Sequence, residues 1–180
     1  ETYFDAHLGK GDEIADTSFN FNAAGTIKSK SVSEYSNITT GTIAFGTAGT
    51  SAASVTDSEW SLARSVSYKM NNSYTAVRYK QSETYFDVHL GKGDEIADTS
   101  FNFNAAGILK SKSVSEYTSA TSGTIAFGAA GFEAASVTDS DWSLVRSVSY
   151  KMDNSYTTVR YKQSETYFDA HLGKGDEIAD

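Results

Sequence analysis

The chain has no cysteine and no proline in 180 residues. Without cysteine, no disulfide staples it and no thiolate can hold a metal. At the usual frequency of about 5%, about nine prolines would be expected. Proline removes a ladder donor and blunts sheet edges, so a chain without it keeps nearly every backbone N–H available for strand pairing. The same absence leaves edge-to-edge association unopposed. Basic charge is also scarce. Fifteen Lys and Arg stand against 23 Asp and Glu, a net charge of −8, which argues against a nucleic-acid partner. No apolar run reaches 18 residues, so no transmembrane helix is expected. Leu, Ile, Val and Phe together supply 34 of the 180 residues, just under the level of about 20% that points towards disorder. Aromatic content of 13% and clean alternation of apolar residues point the other way.

What is present is a repeat. Residues 1–16 recur at 83–98 with one change, Val88 for Ala6, and recur unchanged at 165–180. The interval is 82 residues each time, so the chain holds two full repeats, 1–82 and 83–164. Residues 165–180 either open a third repeat or complete the second. The chain starts without Met and stops in mid-repeat, so it reads as an excerpt of a longer array or a processed fragment. The absence of a visible leader therefore carries no weight. Fourteen of the 82 aligned pairs differ, clustering at Ser36, Asn37, Ile38 and Thr40 and at Thr47, Thr50 and Ser51, which marks those stretches as loops. The period exceeds the range of about 20–50 residues typical of a solenoid coil and suits a small domain. An unstapled unit of this size is marginal alone and gains stability from neighbours.

Alternation predicts strands. Phe4, Ala6 and Leu8 share one face against Tyr3, Asp5 and His7, ahead of a turn at Gly9–Asp12. A second strand runs from Ala15 to Ala23, with Phe19 and Phe21 on its apolar face. Between Thr26 and Tyr35, Ser29, Ser31 and Ser33 form a face of small residues. That face suits either the close approach of another sheet or an exposed edge strand guarded by lysines. Gly41–Gly46 reads as a further strand with Ile43 and Phe45 on one side, and 48–53 as a loop or a weakly held strand. Trp60–Gln81 reads as a hairpin turning at Asn71-Asn72. That register sets Val66 opposite Val77, Tyr68 opposite Thr75, and Arg64 opposite Tyr79 as a cation–π pair. Tyr79 to Tyr85 contains no Gly or Pro, so the repeats join through one long bent strand or through a strand crossing between sheets. The expected class is all-β: tandem repeats of an antiparallel unit of roughly six strands, sandwich-like or merged into one continuous sheet, with no substantial helix.

Chemistry-bearing motifs are few. Asp5 and His7 lie on one strand face with Asp12 and Glu13 nearby, a weak candidate metal set whose spacing matches no known metal loop. An exposed polar face accounts for them more simply. Gly9-Lys10-Gly11-Asp12 lacks the spacing of a phosphate loop. No Gly-x-Ser-x-Gly occurs and no carboxylate pair stands out, so neither an enzyme nor a cofactor is expected. Asn37 and Asn71 begin glycosylation sequons, both lost in the second repeat. Tyr3, Tyr35, Tyr74 and Tyr79 could line a sugar-binding surface but suit sheet packing better. The packing set is Phe4, Leu8, Phe19, Phe21, Trp60, Leu62, Val66, Tyr68, Val77, Tyr79 and Trp142.

In kind, the chain resembles the long, repetitive, Ser/Thr/Gly/Asn-rich surface proteins of microbes: sheath, fibre, S-layer-like and adhesin-stalk proteins. The expected function is structural. One β unit repeats to self-assemble as a fibril, filament, sheath or cell-surface coat outside the cell, with the protein itself as its partner. The alternative is an adhesin of tandem β-sandwiches that grips glycan or mineral through tyrosines and carboxylates. A membrane β-barrel fits less well, because both strand faces are rich in Ser, Asn and Lys.

Overall fold

The computed structural model describes residues 1–180 except 72, 74, 120–123, 172, 173, 175–177 and 180. Its strands are β1 (Thr2–Asp5), β2 (Ile14–Phe21), β3 (Ile27–Ser36), β4 (Thr50–Ser51), β5 (Ser61–Met70), β6 (Val77–Asp87), β7 (Ile96–Phe103), β8 (Leu109–Thr118), β9 (Phe132–Glu133), β10 (Ser143–Met152), β11 (Val159–Asp169) and β12 (Ile178–Ala179). Two short 3-10 turns, Ala52–Ser54 and Ala134–Ser136, follow β4 and β9, and the described residues contain no α-helix. The sheet order is β1-β2-β3-β5-β6-β7-β8-β10-β11-β12, with β4 added to β3 and β9 to β8. Adjacent strands are antiparallel throughout. The protein is therefore all-β, and of the two architectures expected it is the continuous sheet, not the sandwich. Each repeat contributes four long strands that return beside their predecessors, and only the two-residue β4 or β9 stands off that path.

The repeat boundary falls inside β6, which runs unbroken from Val77 to Asp87. The first part of β6 pairs with β5 alone, and residues 82–87 also pair with β7. Register shifts at Ser67/Tyr68 and Lys69/Met70 show where β6 bends against β5. A strand with no glycine or proline crosses the boundary without a linker, which is why the sheet continues from one repeat to the next.

The two faces differ sharply. Register aligns Val32, Val66, Glu83, Phe101 and Lys112 across five strands. Val66, Glu83 and Phe101 are buried. One residue along each strand, Ser31, Ser67, Ser82, Asn102 and Ser111 align on the opposite face. All five are half-buried, hemmed only by their neighbours in the sheet. Loops cover the first face. Phe45 packs edge-on to Tyr85 at 5.2 Å and to Phe101 at 5.3 Å, and Tyr156 meets Phe101 at 4.9 Å. At the sheet end where the long 37–60 connection runs, Ala52 and Val55 close a second cluster over Ile14 and Tyr35. The same cluster recurs one repeat later as Ile96, Tyr117, Ala134 and Val137.

Several expectations are corrected. The β5–β6 hairpin exists, but it turns through residues 71–76, with the Asn71 N–H bonded to the Ala76 carbonyl at 2.9 Å. Val66 therefore faces Glu83 instead of Val77, Tyr68 faces Lys80 instead of Thr75, and Arg64 faces Tyr85 instead of Tyr79. The Asn71 side chain drives this wider loop, because its Oδ1 accepts from the Thr75 N–H at 3.0 Å. Asn72 and Tyr74 lie outside the described residues. The first strand ends at Asp5 and not Leu8, since the Asp5 carboxylate takes the His7 N–H at 2.9 Å and begins the turn early. Gly41–Gly46 is a loop; the Gly46 N–H donates to the Tyr85 hydroxyl at 2.8 Å, which lays the segment across the sheet face instead of along its edge. β3 is not an edge strand, because β2 and β5 flank it, and no second sheet approaches its serines.

Candidate interface between repeats

The most structured site in the molecule lies where the two repeats meet. Arg64 on β5 points its guanidinium fork at Glu34 on β3, with Nε to Oε2 at 2.8 Å and Nη2 to Oε1 at 3.0 Å. Its remaining Nη1 reaches Glu83 at 3.2 Å and the Tyr85 hydroxyl at 3.3 Å on β6. Lys80 Nζ approaches Glu83 at 2.5 Å. Tyr156, from the second repeat, donates its hydroxyl to Glu83 at 3.1 Å. The buried Glu83 and the half-buried Glu34 thus face two cations, and the hydroxyls of Tyr85 and Tyr156 meet lone pairs that remain on Glu83, as a buried charge requires. Burial works against the charge of Arg64, but the hydrogen bonds from Glu34 hold its pKa above the ordinary arginine value. Burial, reinforced by Glu83, pushes the Tyr156 hydroxyl up to about 12. Both tyrosines are therefore neutral donors at physiological pH.

An apolar cluster surrounds this network. Tyr85, Phe101, Leu109 and Met152 form it, with Ile43, Phe103, Tyr150 and Tyr156 packed against it. Ile43 belongs to the first repeat and Met152 and Tyr156 to the second, so neither repeat builds the cluster alone. The same residue types lie in different surroundings at the other copies. Tyr85 is 0% exposed, whereas its counterpart Tyr3 is 55% exposed. Phe45 is 37% exposed and its counterpart Phe127 is 90% exposed, with Tyr167 at 5.7 Å beside its ring. The ion network does recur one repeat on. Arg146 forks onto Glu116 at 2.8 and 2.9 Å and reaches Glu165 at 3.2 Å.

The sixteen-residue motif faces two ways. In its middle copy, Glu83 and Tyr85 complete the network of the preceding Arg64, while His89, Leu90 and Ile96 serve the following cluster. The Nδ1 of His89 contacts Asp87 at 2.6 Å and its Nε2 contacts the Val137 carbonyl at 2.5 Å. His7 does the same between Asp5 and the Val55 carbonyl, the latter at 2.6 Å. Each imidazole thus bolts a 3-10 turn to the end of a strand. In the candidate metal set, Asp5 and Glu13 spend their carboxylates on such contacts. Asp5 holds His7, the Glu13 carboxylate accepts from the Gly11 N–H at 3.0 Å, and the Asp12 N–H bonds to the Gly9 carbonyl at 3.2 Å. Among the described residues no three His, Cys, Asp or Glu side chains gather around one point.

Of the packing candidates, Val66 is buried within the sheet. Leu8, Trp60 and Leu62 pack against the first end cluster, and Trp142 against its repeat. Phe19 meets Tyr3 edge-on at 5.8 Å, and Tyr68 and Tyr79 are half-buried. Phe4, Phe21 and Val77 are exposed instead of packed. Tyr35 is buried with its hydroxyl on the Ala15 carbonyl at 2.6 Å, so it lines no surface. Asn37 is exposed, and Asn71 is half-buried in its loop. Sequence reasoning missed Glu34, Glu83, Tyr85 and Tyr156. The usable signal was parity: Glu34 and Arg64 occupy positions that alternate in phase with the half-buried Val32 and the buried Val66.

The class so defined is a single-layer antiparallel meander whose core is completed between consecutive repeats. The chain matches no family model, no curated protein and no solved structure. No helix among the described residues is long and apolar enough to cross a membrane.

Proposed function

We propose that this is a structural protein that self-assembles through its repeated β unit into an extracellular fibre, sheath or cell-surface coat. The observation that carries this reading is the contrast between Tyr85, fully buried where two repeats meet, and Tyr3, its counterpart in the first copy of the motif, which is mostly exposed. Burying an aromatic side chain is worth about 2 kcal/mol, so each added neighbour stabilises the copy before it. Such arrays behave as chains of nearest-neighbour terms, and an open repeating contact extends instead of closing. The proline-free strands suit the same role, since no proline removes a ladder donor.

The test compares one, two and four repeats by urea unfolding. The midpoint should rise with repeat number and then level off, and electron microscopy of concentrated protein should show ordered filaments or sheets. Equal midpoints for all three lengths, with isolated particles in the microscope, would reject the proposal.

A further inference from the structure

Charge is segregated along the strand axis. The turns at one end of the sheet, those between β2 and β3, β5 and β6, β7 and β8, and β10 and β11, are ringed by Lys28, Lys69, Arg78, Lys110, Lys151 and Arg160. The connections at the opposite end carry Asp12, Glu13, Asp57, Glu59, Asp94 and Glu95. At the basic end, beside the repeat boundary, lies a groove of about 540 Å³. Tyr79 and Phe103 form its aromatic walls, and Lys110, Lys151 and Arg160 line it with one acid, Asp153. Among the described residues none of these three cations lies within ion-pair distance of a carboxylate. A second hollow shares Tyr79, Phe103 and Lys110 and runs onto the polar face past Ser67, Gln81, Ser82 and Asn102. Together they form one open track, cationic at the rim and lined by hydroxyls and amides inward.

We propose that this track binds an acidic polysaccharide, a polymer whose sugars carry carboxylate or sulfate groups. Three features select that class. The volume lies within the range of about 300–1,000 Å³ typical of ligand sites. Aromatic walls offer flat apolar surface to the faces of sugar rings, while Ser, Gln and Asn answer sugar hydroxyls. Lysine and arginine without internal partners suit carboxylate or sulfate, and Arg160 can take it in a bidentate fork. The track is elongated and open, which fits a thin polymer better than a compact solute or a broad protein surface. It also recurs: Phe21, Lys28, Lys69 and Asn71 line the equivalent groove one repeat earlier, of about 470 Å³. There Asn71 stands where Asp153 stands in the second, so the earlier groove has no acid in its lining. Similar sites one repeat apart gain avidity on a polymer. The binding role that sequence suggested as an alternative is thus kept, but cations replace carboxylates as its grip.

The net charge of −8 does not oppose this. A ten-residue strand such as β5 separates the two ends by about 30 Å. That exceeds the screening length of about 8 Å at physiological salt several times over. The acidic end is therefore invisible to a polyanion at the basic end.

Titration calorimetry of the intact chain with polygalacturonate, dextran sulfate and unmodified dextran tests the proposal. Binding is expected to at least one acidic polymer, weakening as salt is raised, with none to dextran; which polymer binds tells carboxylate from sulfate recognition. Replacing Lys28, Lys69, Lys110 and Lys151 by Gln removes a lysine pair from each groove and should weaken binding about tenfold or more. The control replaces Lys10, Lys92 and Lys174 at the acidic end by Gln and should leave affinity unchanged. Tyr79→Ala should weaken binding while leaving its salt dependence intact. Absence of binding to both acidic polymers, equal binding to dextran, or equal loss in both lysine variants overturns the proposal. So does salt-sensitive association of the chain with its own copies and no uptake of polymer, which would assign the basic rim to protein contact. Because salt dependence is read on the unaltered protein, the test survives a variant that fails to fold.

Discussion

Tyr156 donates a hydrogen bond of 3.1 Å to Glu83, which opens the same repeat and sits at its boundary with the preceding one. Glu83 also meets Arg64 at 3.2 Å and Lys80 at 2.5 Å and accepts from Tyr85 at 3.2 Å, so four side chains converge on one carboxylate. Its counterpart Glu165 takes contacts from Arg146, Lys162 and Tyr167. The Glu83 side chain is 3% exposed and the Glu165 side chain 15% exposed. Neutralising a buried partner strands the opposite charge, whereas water compensates nearer the surface. Glu83→Gln should therefore cost about 3–5 kcal/mol and Glu165→Gln much less, read from urea unfolding. Tyr156→Phe should cost about 1 kcal/mol. Equal losses at the two glutamates would show that the boundary does not strengthen the network.

The aromatic pair in the same cluster offers a matched comparison. Phe45 touches both Tyr85 and Phe101, and Phe127, the same residue one repeat later, is 90% exposed. Phe45→Ala loses partial burial and two edge-on ring contacts, about 2 kcal/mol together. Phe127→Ala should stay within about 0.5 kcal/mol. Thermal melts of the two variants decide it; if they shift alike, the junction cluster is not the source of stability.

The period and the alternation made the strands legible, and the absence of Gly or Pro from Tyr79 to Tyr85 foretold the unbroken β6. Register was not legible, because Val66 and Tyr68, two residues apart, share a face whichever turn the hairpin takes, so their alternation does not select a partner. The observed register rests on the Asn71 side chain that closes the wider loop and on the irregularities at Ser67/Tyr68 and Lys69/Met70, which no local spacing announces. The site was hidden for another reason. Glu34, Arg64, Glu83 and Tyr156 are far apart in sequence, and no local spacing joins them. Their union depends on a loop from one repeat and a tyrosine from the next closing over the same face, which is a consequence of the sheet being continuous.

Gly49 marks where the long connection turns back onto the sheet. A Cβ there would meet the Glu34 Cβ at 2.9 Å and the Tyr35 carbonyl oxygen at 3.0 Å. Its N–H also donates to Glu34 at 2.7 Å, so a displaced backbone would loosen the carboxylate that Arg64 grips. Gly49→Ala should cost about 1–3 kcal/mol through overpacking, and Gly131→Ala, with the Val145 side chain at 2.9 Å, should behave alike. Amide exchange should show lost protection at Thr50 and Ser51 first, since these pair with Tyr35 and Glu34. Unchanged protection there would mean that the backbone absorbs the methyl group.

The histidine bolts give stability a direction with pH. Both ring nitrogens of His89 face acceptors, the Asp87 carboxylate and the Val137 carbonyl, so only the doubly protonated ring satisfies both. Burial pulls the His89 pKa down, but those two hydrogen bonds outweigh it and leave the value raised. For His7 the Asp5 contact is the main cause of a raised value, and the Val55 carbonyl adds to it. A pKa raised on folding contributes stability that is fully present below the unfolded value of about 6.5 and is lost as pH climbs through the folded value. Asp5 has the opposite sign. Its hydrogen bonds to His7 lower its pKa, so its share is present above the unfolded carboxylate value and is lost as pH falls through the lowered one. The clamp at Asp5 and His7 is therefore strongest between those limits, in mildly acidic solution, and weakens from about pH 6.5 upward. Proton NMR should place the His7 and His89 midpoints above 6.5, and the urea midpoint should fall as those rings titrate. In a His7→Gln and His89→Gln double variant that fall should largely disappear. A midpoint at or below the ordinary value for both rings would show that the Val55 and Val137 carbonyls are not held by charged imidazoles.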